Sequence, residues 1–131
     1  MIRHLGTEKD NYEVSELQDI NWNEEWEKNF EPVAIGDFCA IRAAFHQSVT
    51  NVQHEIIITP KMSFGTGHHA TTYLMLSRQL EIDHQGKSVM DAGCGTGILS
   101  IMAMQRGAAK VLSFDNNEWA VENSRENYGI N

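Results

Sequence analysis

Three glycines at alternate positions, just after an acidic residue and just before a helix-forming run, constrain this chain more than any other feature. They are Gly93, Gly95 and Gly97, within KSVMDAGCGTGILSIMAMQRGAAKVLSFD at residues 87–115. Val89 and Met90 are apolar and lead into Asp91, which marks a short strand ending in a carboxylate. At the glycines no side chain keeps the backbone away from a ligand. Residues 98–106 have a helical composition, with Ile98, Ile101, Met102 and Gln105 along one side and Gly107 as the C′ stop. Residues 110–114 form a second strand, and Asp115 stands at its tip. Ligands bind open parallel sheets at the carboxyl ends of neighbouring strands. The expected fold class is α/β, a partial doubly wound parallel sheet.

The glycine spacing selects the ligand. A dinucleotide fingerprint is G-x-G-x-x-G, with a diphosphate resting on the helix N-terminus. Here the pattern is G-x-G-x-G, and Ile98 stands where the third dinucleotide glycine would be. Asp91 beside the turn would repel a diphosphate and suits a cation, such as the amino group of S-adenosyl-L-methionine. Asp115 can accept both ribose hydroxyls of either ligand and does not discriminate between them. The cofactor expected is S-adenosyl-L-methionine. Asp91, Gly93 and Gly95 would face its methionine end and Asp115 its ribose, with the adjacent Asn116 completing the set.

Charge and cysteine usage narrow the class. A formal charge of −8 over 131 residues argues against a nucleic-acid surface, which needs clustered Lys and Arg, and is compatible with a basic protein substrate. Cys39 and Cys94 do not make a disulfide framework and suit reduced thiols in the cytoplasm. No apolar run approaches the roughly 20 residues of a membrane span, and no secretory signal opens the chain. His68 and His69 are adjacent, so their side chains diverge, and no metal site is expected.

The remaining segments build around the turn. Residues 1–18 lack a clear period. In residues 19–30, DINWNEEWEKNF, the repeat of Trp22, Trp26 and Phe30 predicts a helix with one aromatic stripe packed on the core. Residues 33–35 and 38–44, with Gly36 and Asp37 between them, predict a β-hairpin. Residues 55–59, EIIIT, form a further strand stopped by Pro60, so a small antiparallel unit precedes the parallel sheet. Residues 62–72, MSFGTGHHATT, form a glycine-containing loop that opens the helix running to about residue 81, with Tyr73, Leu76 and Leu80 as its core face. Such a loop fits either a lid over the cofactor or a plain capped helix start. A last helix is capped by Asn117, with Ala120, Val121, Ser124 and Tyr128 inward, Trp119 at least half exposed and Gly129 at its end. Two parallel strands leave apolar edges and faces that call for cover. The chain is therefore expected to be a fragment of a longer protein, with self-association through those edges as the other possibility.

Taken together, NWNEEWEKNFEP (21–32), IIITPKMSFGTGHHATT (56–72), VMDAGCGTGILSI (89–101), Asp115 and the EN…N pattern ending at Asn131 resemble the bacterial methyltransferases that modify large-subunit ribosomal protein eleven. The resemblance covers about four-fifths of the chain, and FGTG-H-TT is its most specific part. It implies a class I, Rossmann-like methyltransferase fold that transfers methyl groups from S-adenosyl-L-methionine to lysine or N-terminal amines of that ribosomal protein. By the resemblance Thr72, Gly93 and Asp115 contact the cofactor, the loop is a lid, and Phe64 packs on the ligand. Residues 1–31 then correspond to a remnant of a linker or N-terminal domain, and 32–131 to the first part of the methyltransferase domain. The family's Asn-containing motif beside the transferring methyl has no counterpart here, so no catalytic residue is assigned and the isolated chain is expected to be inactive. The alternatives are methylation of RNA or a small molecule, and a nucleotide-binding module without chemistry.

Overall fold

The order of elements follows the turn chemistry of the sequence. The computed structural model describes residues 29–61 and 63–131. Along them run β1 (Val33–Ile35), β2 (Cys39–Ala43), β3 (His54–Ile58), α1 (Ala70–Gln79), β4 (Ser88–Ala92), α2 (Ile98–Gln105), β5 (Lys110–Phe114) and α3 (Glu118–Ile130). The expected helix over 19–30 lies outside the described residues except at its end, where Phe30 is buried with its ring against His68 and His46.

The hairpin forms as expected. Gly36 takes a positive φ of 54°, and β1 pairs antiparallel with β2 from Val33↔Ile41 to Ile35↔Cys39. The third strand corrects the expectation, because β3 joins β2 in parallel, from Cys39↔His54 to Ala43↔Ile58. The cause lies in residues 44–53, which return the chain to the start of β2. Gln53 N donates to Asp37 O at 2.9 Å and His54 N to Phe38 O at 2.9 Å. Glu55 secures that return. Its carboxylate takes Arg42 Nε at 2.8 Å and Nη2 at 2.9 Å, and also accepts from Ser48 Oγ and Val49 N.

The core lies between this sheet and the helices. Ile41, Ile56, Ile58, Leu76 and Met102 are fully buried, each worth about 1.5–3 kcal/mol of transfer free energy. Helix α2 is the common partner: it packs on α1, β3, β4, β5 and α3. Ile98, Ile101 and Met102 turn inward as expected, whereas Gln105 is exposed and donates to Glu55 O at 2.9 Å. Gly107, at φ 92°, follows the cap and stops the helix.

Two helix faces differ from their expected phase. Helix α1 buries Thr72, Leu76 and Gln79, while Tyr73 and Leu80 are exposed, because its 72/76/79 line is the one set against the core. Helix α3 buries Ala120, Asn123, Ser124 and Asn127, leaving Val121 half-buried and Tyr128 exposed. Its asparagines are drawn inward by the backbone N–H and carbonyl of Thr59, just past β3. Gly129 lies inside α3 rather than ending it. Trp119 is 78% exposed, as its position off the inner face requires.

Strands β4 and β5 pair in parallel from Ser88↔Lys110 to Ala92↔Phe114. One face meets α2, and the other exposes Met90, Leu112 and Phe114. No helix among the described residues is long and apolar enough to cross a membrane.

The Arg42–Glu55 pair sets an acid limit on this architecture. Hydrogen bonds from Arg42 hold the Glu55 carboxyl at about 2, below its ordinary 4.5. A depressed carboxylate contributes stability that is complete above the unfolded-state value and is lost as pH falls from about 4.5 towards 2. Urea unfolding across that window is expected to show stability falling steeply with acid. Glu55→Gln is expected to cost about 2 kcal/mol at neutral pH and to flatten the acid slope. An unchanged slope in the variant would remove Glu55 as its source.

Candidate functional site

The turn between β4 and α2 is fixed from both sides. Gly93 N and Cys94 N both donate to Phe114 O, at 2.8 and 3.1 Å, so the turn is laced to the end of β5. Gly93, Gly95 and Gly97 all have positive φ, at 75°, 53° and 80°. The requirements at Gly93 and Gly95 are unlike. A Cβ on Gly93 would meet nothing within 4 Å, so this glycine faces open space where a ligand can approach. A Cβ on Gly95 would collide with the Phe64 carbonyl oxygen, so this glycine serves the close passage of the 63–69 loop.

Asp115 stands at the tip of β5 and joins the same turn. Its Oδ2 accepts from Gly95 N at 3.0 Å and its Oδ1 from Asn117 N at 2.9 Å. The Gly95 hydrogen bond first, then that of Asn117, holds the carboxyl below its ordinary range. Asp115 is half-buried, so a carboxylate oriented by two backbone amides still faces outward. Asn116 is exposed beside it, on the rim of a cavity of about 230 Å³ also lined by Glu118, Val121, Glu122 and Arg125.

Asp91 is placed differently. It is buried beneath the turn, and its Oδ2 accepts from Ser100 Oγ at 2.6 Å; Ser100 in turn meets Ser113 Oγ at 2.7 Å. Asp91 and Ser113 are paired residues of β4 and β5, so the three side chains form a polar knot between sheet and α2. Thr72 is buried on α1, and Phe64 is 60% exposed with its ring 4.9 Å from that of His69. His69 caps α1 by accepting from Thr71 N at 3.2 Å.

The structure therefore brings Gly93, Gly95, Asp115 and the Phe64 backbone to one place, with Asp91 below it. Thr96 was not singled out by the sequence, yet it joins the two loops. Its N donates to Phe64 O at 2.9 Å and its Oγ1 to Gly65 O at 2.6 Å. The signal available in the sequence was the G-T-G triplet present in both segments. Neither thiol is a candidate nucleophile. Burial pushes Cys39 up to about 12 and raises Cys94 as well, with the Asp91 and Asp115 carboxylates adding to the latter.

Comparison with known proteins completes the description. Residues 2–131 match the family model for ribosomal protein L11 methyltransferase (PrmA). The chain belongs to this family. A ribosomal protein L11 methyltransferase of Phocaeicola vulgatus is 51% identical over 121 residues, covering 92% of this chain and 43% of the relative. One from Porphyromonas gingivalis is 51% identical over 119 residues, covering 89% and 41%. A crystal structure of a ribosomal protein L11 methylase from Lactobacillus delbrueckii subsp. bulgaricus superposes with a TM-score of 0.61 at 28% identity, over 77% of this chain and 52% of that one. The chain thus spans less than half the length of the curated L11 methyltransferases it matches, and its α/β architecture is that of part of their fold.

The two glycines predict different losses. Gly93→Ala meets only the cost of its left-handed backbone, about 1–2 kcal/mol. Gly95→Ala adds displacement of the Phe64 carbonyl, about 3 kcal/mol or more in all. Urea unfolding of both variants checks the order, and equal losses would contradict the close approach at Gly95.

Proposed function

We propose that this chain is the cofactor-binding portion of an S-adenosyl-L-methionine-dependent methyltransferase that acts on lysine or N-terminal amines of ribosomal protein L11. Residues 32–131 are its part of the methyltransferase domain, and the cytoplasm, where ribosomal proteins are made, is its setting. One observation carries the cofactor assignment: the Asp115 carboxylate, oriented by Gly95 N and Asn117 N, stands beside the open face of Gly93. Two acceptor oxygens fixed at a strand tip suit a vicinal diol, and the bare backbone at Gly93 suits a ligand chain passing close by.

When bound, S-adenosyl-L-methionine supplies a methyl group made electrophilic by its sulfonium. The chain's own residues have to hold and orient. Asp115 takes the ribose, with Asn116 on the same rim. Gly93 and Gly95 present backbone to the methionine end, and Asp91 places a carboxylate beneath the turn, where it favours the cationic amino group. Phe64, whose carbonyl meets Gly95 and Thr96, borders the site from the loop, and the resemblance assigns Thr72 of α1 to the cofactor as well. Alignment of this kind is worth on the order of 7–11 kcal/mol in a displacement reaction.

Calorimetric titration with S-adenosylhomocysteine, with NADH as the control, tests the assignment. The unaltered chain is expected to bind the first and not the second. Asp115→Ala, with its fold checked by circular dichroism, is expected to lose at least about tenfold in affinity, as removal of a charged hydrogen-bond acceptor does. A folded Asp115→Ala chain with undiminished affinity would remove Asp115 from the site.

A further inference from the structure

Helix α3 and the residue that caps it carry Asn123, Asn127 and Asn131 at i, i+4 and i+8, and all three reach the backbone of β3 and its continuation, at Ile57 and Thr59. Asn131 Oδ1 accepts from Ile57 N at 2.9 Å and its Nδ2 donates to Ile57 O at 2.6 Å. Asn127 Oδ1 accepts from Thr59 N at 2.8 Å, and Asn123 Nδ2 donates to Thr59 O at 3.3 Å. A side-chain amide has the donor and acceptor of a peptide group, so this row does for residues 57 and 59 what a neighbouring strand would do.

Asn127 differs from the other two. Its Nδ2 donates to Thr96 O at 2.9 Å, and both Asn127 and Thr96 are fully buried. With Thr96 N on Phe64 O and Thr96 Oγ1 on Gly65 O, a continuous set of hydrogen bonds runs from Thr59 through Asn127 and Thr96 to the loop. It ties the loop's entry at Thr59, its apex at 64–65 and the glycine turn together. The loop backbone is thereby hydrogen-bonded to the turn at residues 64–65.

We propose that Asn127 and Thr96 are positioning residues that hold the 63–69 loop, with Phe64, at a set distance from the glycine turn, so that the rim of the site is preformed. This rests on the cofactor assignment above for its functional consequence but not for its geometry. The helix α3 then has two separable tasks: Asn131 seals a strand edge, and Asn127 also sets the site.

Four variants of the full chain test this: Asn127→Asp, Thr96→Val, Thr96→Ser and Asn131→Ala. Asn127→Asp keeps the acceptor for Thr59 N and loses the donor to Thr96 O; Thr96→Ser keeps the hydroxyl that Thr96→Val removes. Amide hydrogen exchange at residue 96 and S-adenosylhomocysteine affinity are read on each, beside urea stability. Asn127→Asp and Thr96→Val are expected to speed exchange at residue 96 and to weaken binding by about tenfold or more. Thr96→Ser should restore both. Asn131→Ala should lower stability while leaving exchange at residue 96 and affinity within about twofold of the unaltered chain. Unchanged exchange at residue 96 in Asn127→Asp and Thr96→Val would overturn the tether. So would losses in all variants that merely follow stability. Failure of the unaltered chain to bind S-adenosylhomocysteine counts against the cofactor assignment alone, and the exchange measurement then decides the tether. If Asn127→Asp does not fold, Thr96→Val against Thr96→Ser makes the same decision.

Discussion

The crossing of two loops at Gly95 governs the local structure on which everything else is set. The Phe64 carbonyl passes so close to Gly95 that no side chain fits between them, and Thr96 converts that approach into two hydrogen bonds. Gly65 returns the constraint, since a Cβ there would lie 2.8 Å from Thr96 Oγ1. Because α2 begins directly after the turn and touches every surrounding layer, fixing the turn fixes the helix on which the core is assembled. Backbone freedom at a few glycines, spent on close approach, is what lets a loop and a turn share one rim.

Much of this was legible in the sequence. The alternate glycines, the carboxylates at the strand ends and the hydrophobic run of 98–102 located β4, α2 and β5, because turn chemistry and burial there agree with one another. The hairpin was legible for the same reason. Three things were not. The direction of β3 depends on where residues 44–53 lead the chain, and that is set by Glu55 reaching Arg42 and the loop amides, a contact between residues with no sequence periodicity. Of the faces expected for α1 and α3, Leu76, Ala120 and Ser124 are buried, but Tyr73, Leu80, Val121 and Tyr128 give way to Thr72, Gln79, Asn123 and Asn127. Periodicity ranks side chains by hydropathy, but a buried amide such as Asn127, whose oxygen and nitrogen both pair with backbone, is as well satisfied as a leucine in a pocket. The inward turn of Asp91 was also hidden, since its partners Ser100 and Ser113 are separated from it in sequence and meet only in the sheet register.

The β4–β5 pair shows how far a parallel unit can be read by itself. Parallel strands are ordinarily covered on both faces. Here α2 covers one, while Met90, at 67% exposed, Leu112 and Phe114 occupy the other. That alternation follows from the period of two along each strand.

The two carboxylates at the strand ends illustrate why position outweighs residue type in such a site. Asp91 is paired with Ser113 inside the sheet, whereas Asp115 lies two positions further along, past the end of β5. Asp91 is on the face turned to α2, so it meets Ser100, becomes buried and stabilises the junction of strand, turn and helix. Asp115 lies one residue beyond the last paired position of β5, where the chain leaves the sheet, so backbone amides of Gly95 and Asn117 reach it and its outward side stays open. Amides that donate to a carboxylate depress its affinity for protons and fix its lone pairs, which prepares it to accept from neutral hydroxyls. A carboxylate already engaged by a buried serine has less left to offer a ligand directly, and its effect is exerted through its field beneath the turn. The same residue type thus serves as scaffold on one strand and, in the function proposed, as receptor on the next, and the difference is the two-position offset between them in the sheet register.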